Sequence, residues 1–267
     1  MWYKLKRIMM RPNEVEKQVR PTWKPTWRLD QATHSMYFDT GSGSKYWVCI
    51  SKDGDFMYVG NNAWTVLQYS LSTPFDVTTA TYVTSVTWVS SQHWVYISPN
   101  GLKLFAVWHD NSTVKEYTLQ SANNLTGATS TNVSLPRNWW TWICFNSDWT
   151  KCIIWRYSNS MMFSLNCQTP YSLVWATEIT TKSLWFQDRW LSISKDGLHI
   201  FLWNEKVMRQ RDLTTKDDIS TASSSYSYTT DAAWIDDYAW TITEDWRYFY
   251  YITDARYVNR LDMPWSY

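Results

Sequence analysis

Five stretches of this chain carry one pattern: WVCISKDGDFMYV from Trp47, WVYISPNGLKLFAV from Trp94, WICFNSDWTKCII from Trp142, WLSISKDGLHIFL from Trp190 and WTITEDWRYFYYI from Trp240. The residue after the Asp or Asn of each turn is Gly54, Gly101, Trp149, Gly197 and Trp246, so the units recur at intervals of 47, 48, 48 and 49 residues. A period of that size restricts the chain to a repeat architecture whose units stack or close into a ring.

Within a unit, alternating apolar residues lead into an Asp-Gly or Asn-Gly turn and out into a β-branched and aromatic run, which spells a β-hairpin. A polar loop follows, then a third strand (Thr65 to Leu71 in the first unit), a linker (Ser72 to Ala80) and a fourth strand from Thr81 to Trp88. Four antiparallel strands per unit predict a blade, and five blades an all-β, five-bladed β-propeller. The fifth unit ends at LDMPWSY without a fourth strand, whereas Leu29 to Tyr46 precede the first unit and read as a linker and strand. The N-terminal strand is therefore expected to complete the last blade and hide a sheet edge. Two regions result: a basic extended arm over residues 1–28 and the propeller over 29–267.

ISKDG followed by MYVGNNAWTVLQYSLSTPFDVTTATYV (Met57 to Val83) resembles the YVTN-type propeller repeats, and is similar to repeat propellers of phage virion proteins. The resemblance covers Leu29 to Tyr267 and departs in the linkers Gln120 to Val133 and Asn166 to Ile179. It implies architecture more than activity, because propellers host unrelated functions. Blade count and period alone are similar to the five-bladed tachylectin lectins.

Glycine is scarce and tryptophan abundant: 7 Gly and 21 Trp in 267 residues, against a usual glycine share of about 7%. Column by column, the hairpin turn reads Gly, Gly, Trp, Gly, Trp, and the exit of the second strand reads Gly60, Trp108, Trp155, Trp203. Such turns favour a residue that reaches positive φ without a Cβ penalty, which glycine does and an indole does not. A competing reading makes the indoles functional. Trp47, Trp94, Trp142 and Trp190 open the innermost strand of each blade, where an aromatic ring at the channel mouth would offer sugars a stacking platform.

Ligands are expected at the face built by loops around the central channel. The loops after the second strands bring His109, Asp110, Asn204, Glu205, Asp254 and Arg256; those joining blades bring His93, Arg137, Asp188, Arg189 and Asp236. His93, His109 and Asp110 lack the compact spacing of a metal site, so no metal and no cofactor is expected. The turn acids Asp53, Asp148, Asp196 and Asp245 read as turn formers. No nucleophile elbow, HExxH helix motif or phosphate-cradling glycine loop occurs. With the turn at Asp148 and Trp149, Cys144 opposes Ile153 and Cys152 opposes Phe145, which places the two thiols on opposite sheet faces and disfavours a disulfide.

The net charge of +1 argues against nucleic acid as a partner. No apolar run is long enough for a membrane span, and no signal peptide is visible. The arm holds eight Lys and Arg against two Glu, with prolines at 12, 21 and 25, a composition suited to docking on an acidic partner or neighbouring subunit. These features favour a non-enzymatic binding or structural module, a component of a phage particle or an extracellular surface assembly, contacting a protein or glycan partner through the channel-mouth loops. The alternatives are a glycan-binding lectin that uses the Trp ring and a propeller hydrolase or lactonase.

Overall fold

The computed structural model describes residues 33–41, 45–61, 65–87, 92–108, 113–135, 140–156, 160–183, 190–194, 196–204, 207–223, 226–229, 240–242, 247–253 and 257–262. The first blade is β2 (Lys45–Ile50), β3 (Phe56–Asn61), β4 (Thr65–Leu71) and β5 (Ala80–Thr87), hydrogen-bonded in that order. β6 (Gln92–Ile97), β7 (Lys103–Trp108), β8 (Thr113–Thr118) and β9 (Thr129–Ser134) repeat it. So do β10 (Trp140–Phe145), β11 (Lys151–Arg156), β12 (Met161–Asn166) and β13 (Thr177–Ser183). The fourth blade is β14 (Trp190–Ile193), β15 (His199–Asn204), β16 (Val207–Asp212) and β17 (Tyr226–Thr229).

The fifth blade takes strands from both ends of the propeller. β18 (Trp240–Ile242), β19 (Tyr248–Thr253) and β20 (Tyr257–Asp262) are joined by β1 (Thr33–Asp39), which pairs antiparallel with β20 from Thr33–Asp262 to Asp39–Tyr257. The innermost strands β2, β6, β10 and β14 pack in succession, and β18 and β19 pack back on β2, so the blades close a ring. The expected five-bladed propeller, sealed by its N-terminal strand, is the fold.

The core lies between and within blades. Fully buried β-branched and aromatic residues of the second strands dominate it, such as Tyr58 and Val59, Phe105, Ile153 and Ile154, Phe201 and Tyr250. These residue types fit a pleated surface covered on both faces.

The turns are built alike but are wider than a two-residue loop. In the first blade the Gly54 N–H donates to the Ser51 carbonyl, the Ser51 N–H to the Phe56 carbonyl at 2.8 Å, and the Phe56 N–H to the Ser51 hydroxyl at 2.9 Å. The same three bonds recur from Ser98, Asn146 and Ser194, with Lys103, Lys151 and His199 as the far partners. Glycine at the fourth position takes the left-handed conformation: φ is 80° at Gly54, 67° at Gly101 and 71° at Gly197. Trp149 occupies the same place at φ 62°, its N–H donating to the Asn146 carbonyl at 3.1 Å. An L-residue with a Cβ is disfavoured there by about 1–2 kcal/mol.

The strand registers correct the second glycine column. Trp47 faces Gly60, Trp142 faces Trp155 and Trp190 faces Trp203, but Trp94 faces Val107; Trp108 lies one residue further, opposite Gln92. Gly60 belongs to the regular ladder of β3 and lies outside the positive-φ set, so backbone conformation does not demand glycine in that column. In the fifth blade Trp240 faces Tyr251 and so matches Val48 facing Val59, not Trp47 facing Gly60.

Each linker fastens its blade to the preceding one. The Gln68 carboxamide donates to the Asn123 carbonyl and accepts the Leu125 N–H at 2.9 Å, joining the second linker to the first blade. At the equivalent position Glu116 accepts the Leu173 N–H on Oε2 at 2.8 Å and the Ser172 hydroxyl on Oε1 at 3.0 Å, while Lys103 Nζ lies 2.8 Å from Oε1. Arg260 and the Tyr250 hydroxyl both donate to the Phe75 carbonyl at 2.9 Å, which fixes the first linker on the fifth blade. Beside these bonds Val77, Leu125, Leu173 and Ile219, each three residues ahead of an alanine, are fully buried.

Candidate functional site

The two ends of the ring differ. Turns and linkers form one end, where the bonds above repeat from blade to blade. The other end, the expected channel mouth, is defined by the starts of β2, β6, β10 and β14 and the ends of β3, β7, β11 and β15, as the pairs Lys45–Asn61, Gln92–Trp108, Trp140–Arg156 and Trp190–Trp203 show.

His93 lies in β6 and Asn204 ends β15 opposite Val207, both at the mouth end. His109, Asp110, Arg137, Asp188, Arg189, Glu205, Asp236, Asp254 and Arg256 lie outside the described residues. Two described side chains mark the mouth. The Asn61 Oδ1 accepts the Thr65 N–H at 3.1 Å and so braces the loop between β3 and β4. Arg156 closes β11, and its Nε is buried with no hydrogen-bond partner among the described residues.

Three of the four first-strand indoles are interior groups. Trp47, Trp94 and Trp142 are 2%, 6% and 5% exposed. Trp94 stacks on Tyr96 with ring centres 5.1 Å apart, and lies 6.2 Å from Trp142 in the next blade. Indoles placed this way cement adjacent blades and offer no open face to a sugar. Trp190 lies in β14 opposite Trp203.

The turn end holds a polar cluster that strand patterning gave no reason to expect. His199 and Asp212 face each other across β15 and β16, with Nδ1 2.8 Å from Asp212 Oδ1; Nε2 is 3.8 Å from Asp196 Oδ2. Gln210 donates to the same Asp212 oxygen at 2.9 Å. Partial burial pushes the Asp196 carboxyl up, but the Ser194 hydroxyl, the Leu198 N–H and His199 together hold it below the usual carboxylate range. The only sequence signal was register: His199 begins the second strand where Asp212 ends the third. Among the described residues no group of three or more His, Cys, Asp or Glu is placed to hold a metal ion.

The cysteines are structural. Cys144 faces Ile153 and Cys152 faces Phe145 as the spacing predicted, and all four thiols are buried and free. Burial pushes Cys49 and Cys167 up to about 12 and raises Cys144 and Cys152 as well, so none is a ready nucleophile. No described helix is long and apolar enough to cross a membrane.

Comparison with known proteins extends this picture at the level of fold. No protein-family profile and no curated protein matches the sequence. Solved structures do. A functionally unknown protein from Desulfotomaculum acetoxidans is similar with a TM-score of 0.56 at 15% identity, over 80% of this chain and 67% of that one. The β-propeller domain of Cps50 (Swd1) from Myceliophthora thermophila gives 0.56 at 11% identity, covering 87% of this chain and all of that domain. Hydrazine synthase of Kuenenia stuttgartiensis gives 0.53 at 13% identity, over 82% of this chain and 57% of that one. The shared feature is the propeller. At such identities the likeness concerns architecture alone.

Proposed function

We propose that this propeller is a non-enzymatic interaction module, a component of a phage particle or comparable surface assembly, which meets its partner through the channel-mouth loops. The supporting observation is the contrast between the two ends. At the turn end four blades repeat one set of backbone bonds, and the linkers that follow lock onto neighbouring blades. That end is committed to holding the ring together. The loops at the mouth diverge in sequence: NAW after β3, HDNS after β7, YSNS after β11, EK after β15 and DAR after β19. A rigid scaffold presenting unlike polar loops at one end is how binding surfaces are usually built. The sequence resemblance to virion repeat propellers supplies the setting. Burial of Trp47, Trp94 and Trp142 gives the lectin reading no platform.

The test is to band particles from the producing culture in a density gradient and probe the fractions with antibody raised against the chain. Reactivity that co-migrates with intact particles supports the proposal. Reactivity confined to the unbanded soluble fractions overturns it.

A further inference from the structure

We infer that in the cell that makes it this protein carries glycine, not tryptophan, at positions 149 and 175, because UGA codons in its gene are decoded there as glycine. UGA is a codon whose meaning differs between genetic codes, and it is one base away from the sense codons of both residues. Two independent places in the fold lead to this reading.

The first is the third hairpin turn. Four turns share their hydrogen bonds, and the fourth residue of each is left-handed: Gly54, Gly101, Gly197 and Trp149. Space as well as φ selects glycine. A Cβ built on Gly54 would lie 2.6 Å from the Phe75 ring, and one on Gly101 or Gly197 would collide with Asn123 or Asp217 of the following linker. The linker residue sits directly on the turn in those blades, with its N–H on the glycine carbonyl at 2.7–2.9 Å. Tyr171 is the third blade's counterpart of Phe75, with φ of 63° against 65°. With an indole at 149 its ring stacks on that indole at 4.8 Å. With glycine at 149 the Tyr171 ring can settle on the turn as Phe75 does on Gly54.

The second place is the third linker. The Ala128 N–H donates to the Leu125 carbonyl at 3.1 Å, and the Ala176 N–H to the Leu173 carbonyl at 3.0 Å. Between them stand Gly127 at φ 71° and Trp175 at φ 65°. Trp175 is 82% exposed, so it has the conformation of a glycine and no compensating burial. Genuine tryptophan at a left-handed position is uncommon, since non-glycine residues there are mostly Asn, Asp or His. Two such residues, each aligned with glycine in a sister blade, make a pattern, and the chain's 7 Gly against 21 Trp is the composition that this decoding produces.

The decisive experiment is tandem mass spectrometry of peptides spanning 146–151 and 173–177 from protein purified from its own source, together with the codons at those positions. Glycine masses at both, encoded by TGA, are expected. An indole mass at either position, or a TGG codon at either, overturns the inference. A recombinant chain carrying Trp175→Gly gives a second, physical readout, because Trp175 is 82% exposed whereas Trp149 is 3% exposed and stacks on Phe145 at 4.5 Å, so that removing its indole also costs buried surface. It should melt above the chain with tryptophan at 175, and a lower melting temperature would count against the structural premise.

Discussion

Replacing Trp175 alone isolates the cost of a left-handed backbone from every other effect. The residue is held at φ 65° and is 82% exposed, so truncation removes almost no buried surface. Relief of the Cβ clash is worth about 1–2 kcal/mol. Against it stands the greater freedom of glycine in the unfolded chain, roughly 0.4–1 kcal/mol. Trp175→Gly should therefore stabilise by about 0.5–1 kcal/mol, which for a domain of this size raises Tm by roughly 1–4 °C. Trp175→Ala is the control, because it discards the indole but keeps the Cβ. Thermal unfolding followed by circular dichroism at fixed pH and protein concentration should rank glycine above alanine. A glycine variant that melts with or below the alanine variant would refute the conformational argument, since removal of the exposed indole is common to both.

Other expectations concern the closure of the ring and its interior. Glu116→Ala strands the Leu173 N–H, the Ser172 hydroxyl and the Lys103 ammonium, and should cost about 2–3 kcal/mol in urea unfolding; a loss within error would show that water replaces the carboxylate. Removing residues 1–40 deletes β1 and bares the edge of β20, so the product should self-associate in light scattering, whereas removing 1–28 should leave a monodisperse sample monodisperse. The buried thiols keep their protons in the fold to about pH 12 at Cys49 and Cys167, above the value of 9.0 for a free thiol. The folded state thus binds more protons than the unfolded one between those limits. Stability should be complete below pH 9 and fall as pH rises towards 12, by about 1.4 kcal/mol per unit for each such group; a flat urea midpoint over that window would contradict the burial. At pH 8 a thiol reagent should react with no cysteine until the chain is unfolded.

The architecture was legible because each level of the pattern agreed with the next. Alternation gave the strands, the Asp-Gly and Asn-Gly pairs placed the turns, and the period counted the blades. Even the missing strand could be located, since Leu29 to Tyr46 matched no other role and β1 lies within it. Matching the exit of the second strand by residue type misplaces Trp108 by one residue; counting from the turn puts Val107 in that column, as the ladder does. The linker fasteners went unread for a different reason. Gln68, Glu116 and Arg260 are unlike in charge and size, and what unites them is a position whose neighbours come from the next blade around the ring. The His199–Asp212 pair lies within one blade, and only the register of two adjacent strands brings the side chains face to face. At the mouth polarity is the whole of the sequence signal, and polarity by itself does not tell a binding loop from a solvated one.

The pairing of β1 with β20 makes the oldest strand leaving the ribosome the partner of the youngest. Four blades can form before β20 is made, so the half-built ring must carry β1 unpaired until that strand has been synthesised. The same union brings the two extremities of the propeller side by side. Joining them with a short linker and reopening the chain between any two blades should give a permuted protein with the same ring and a different order of assembly.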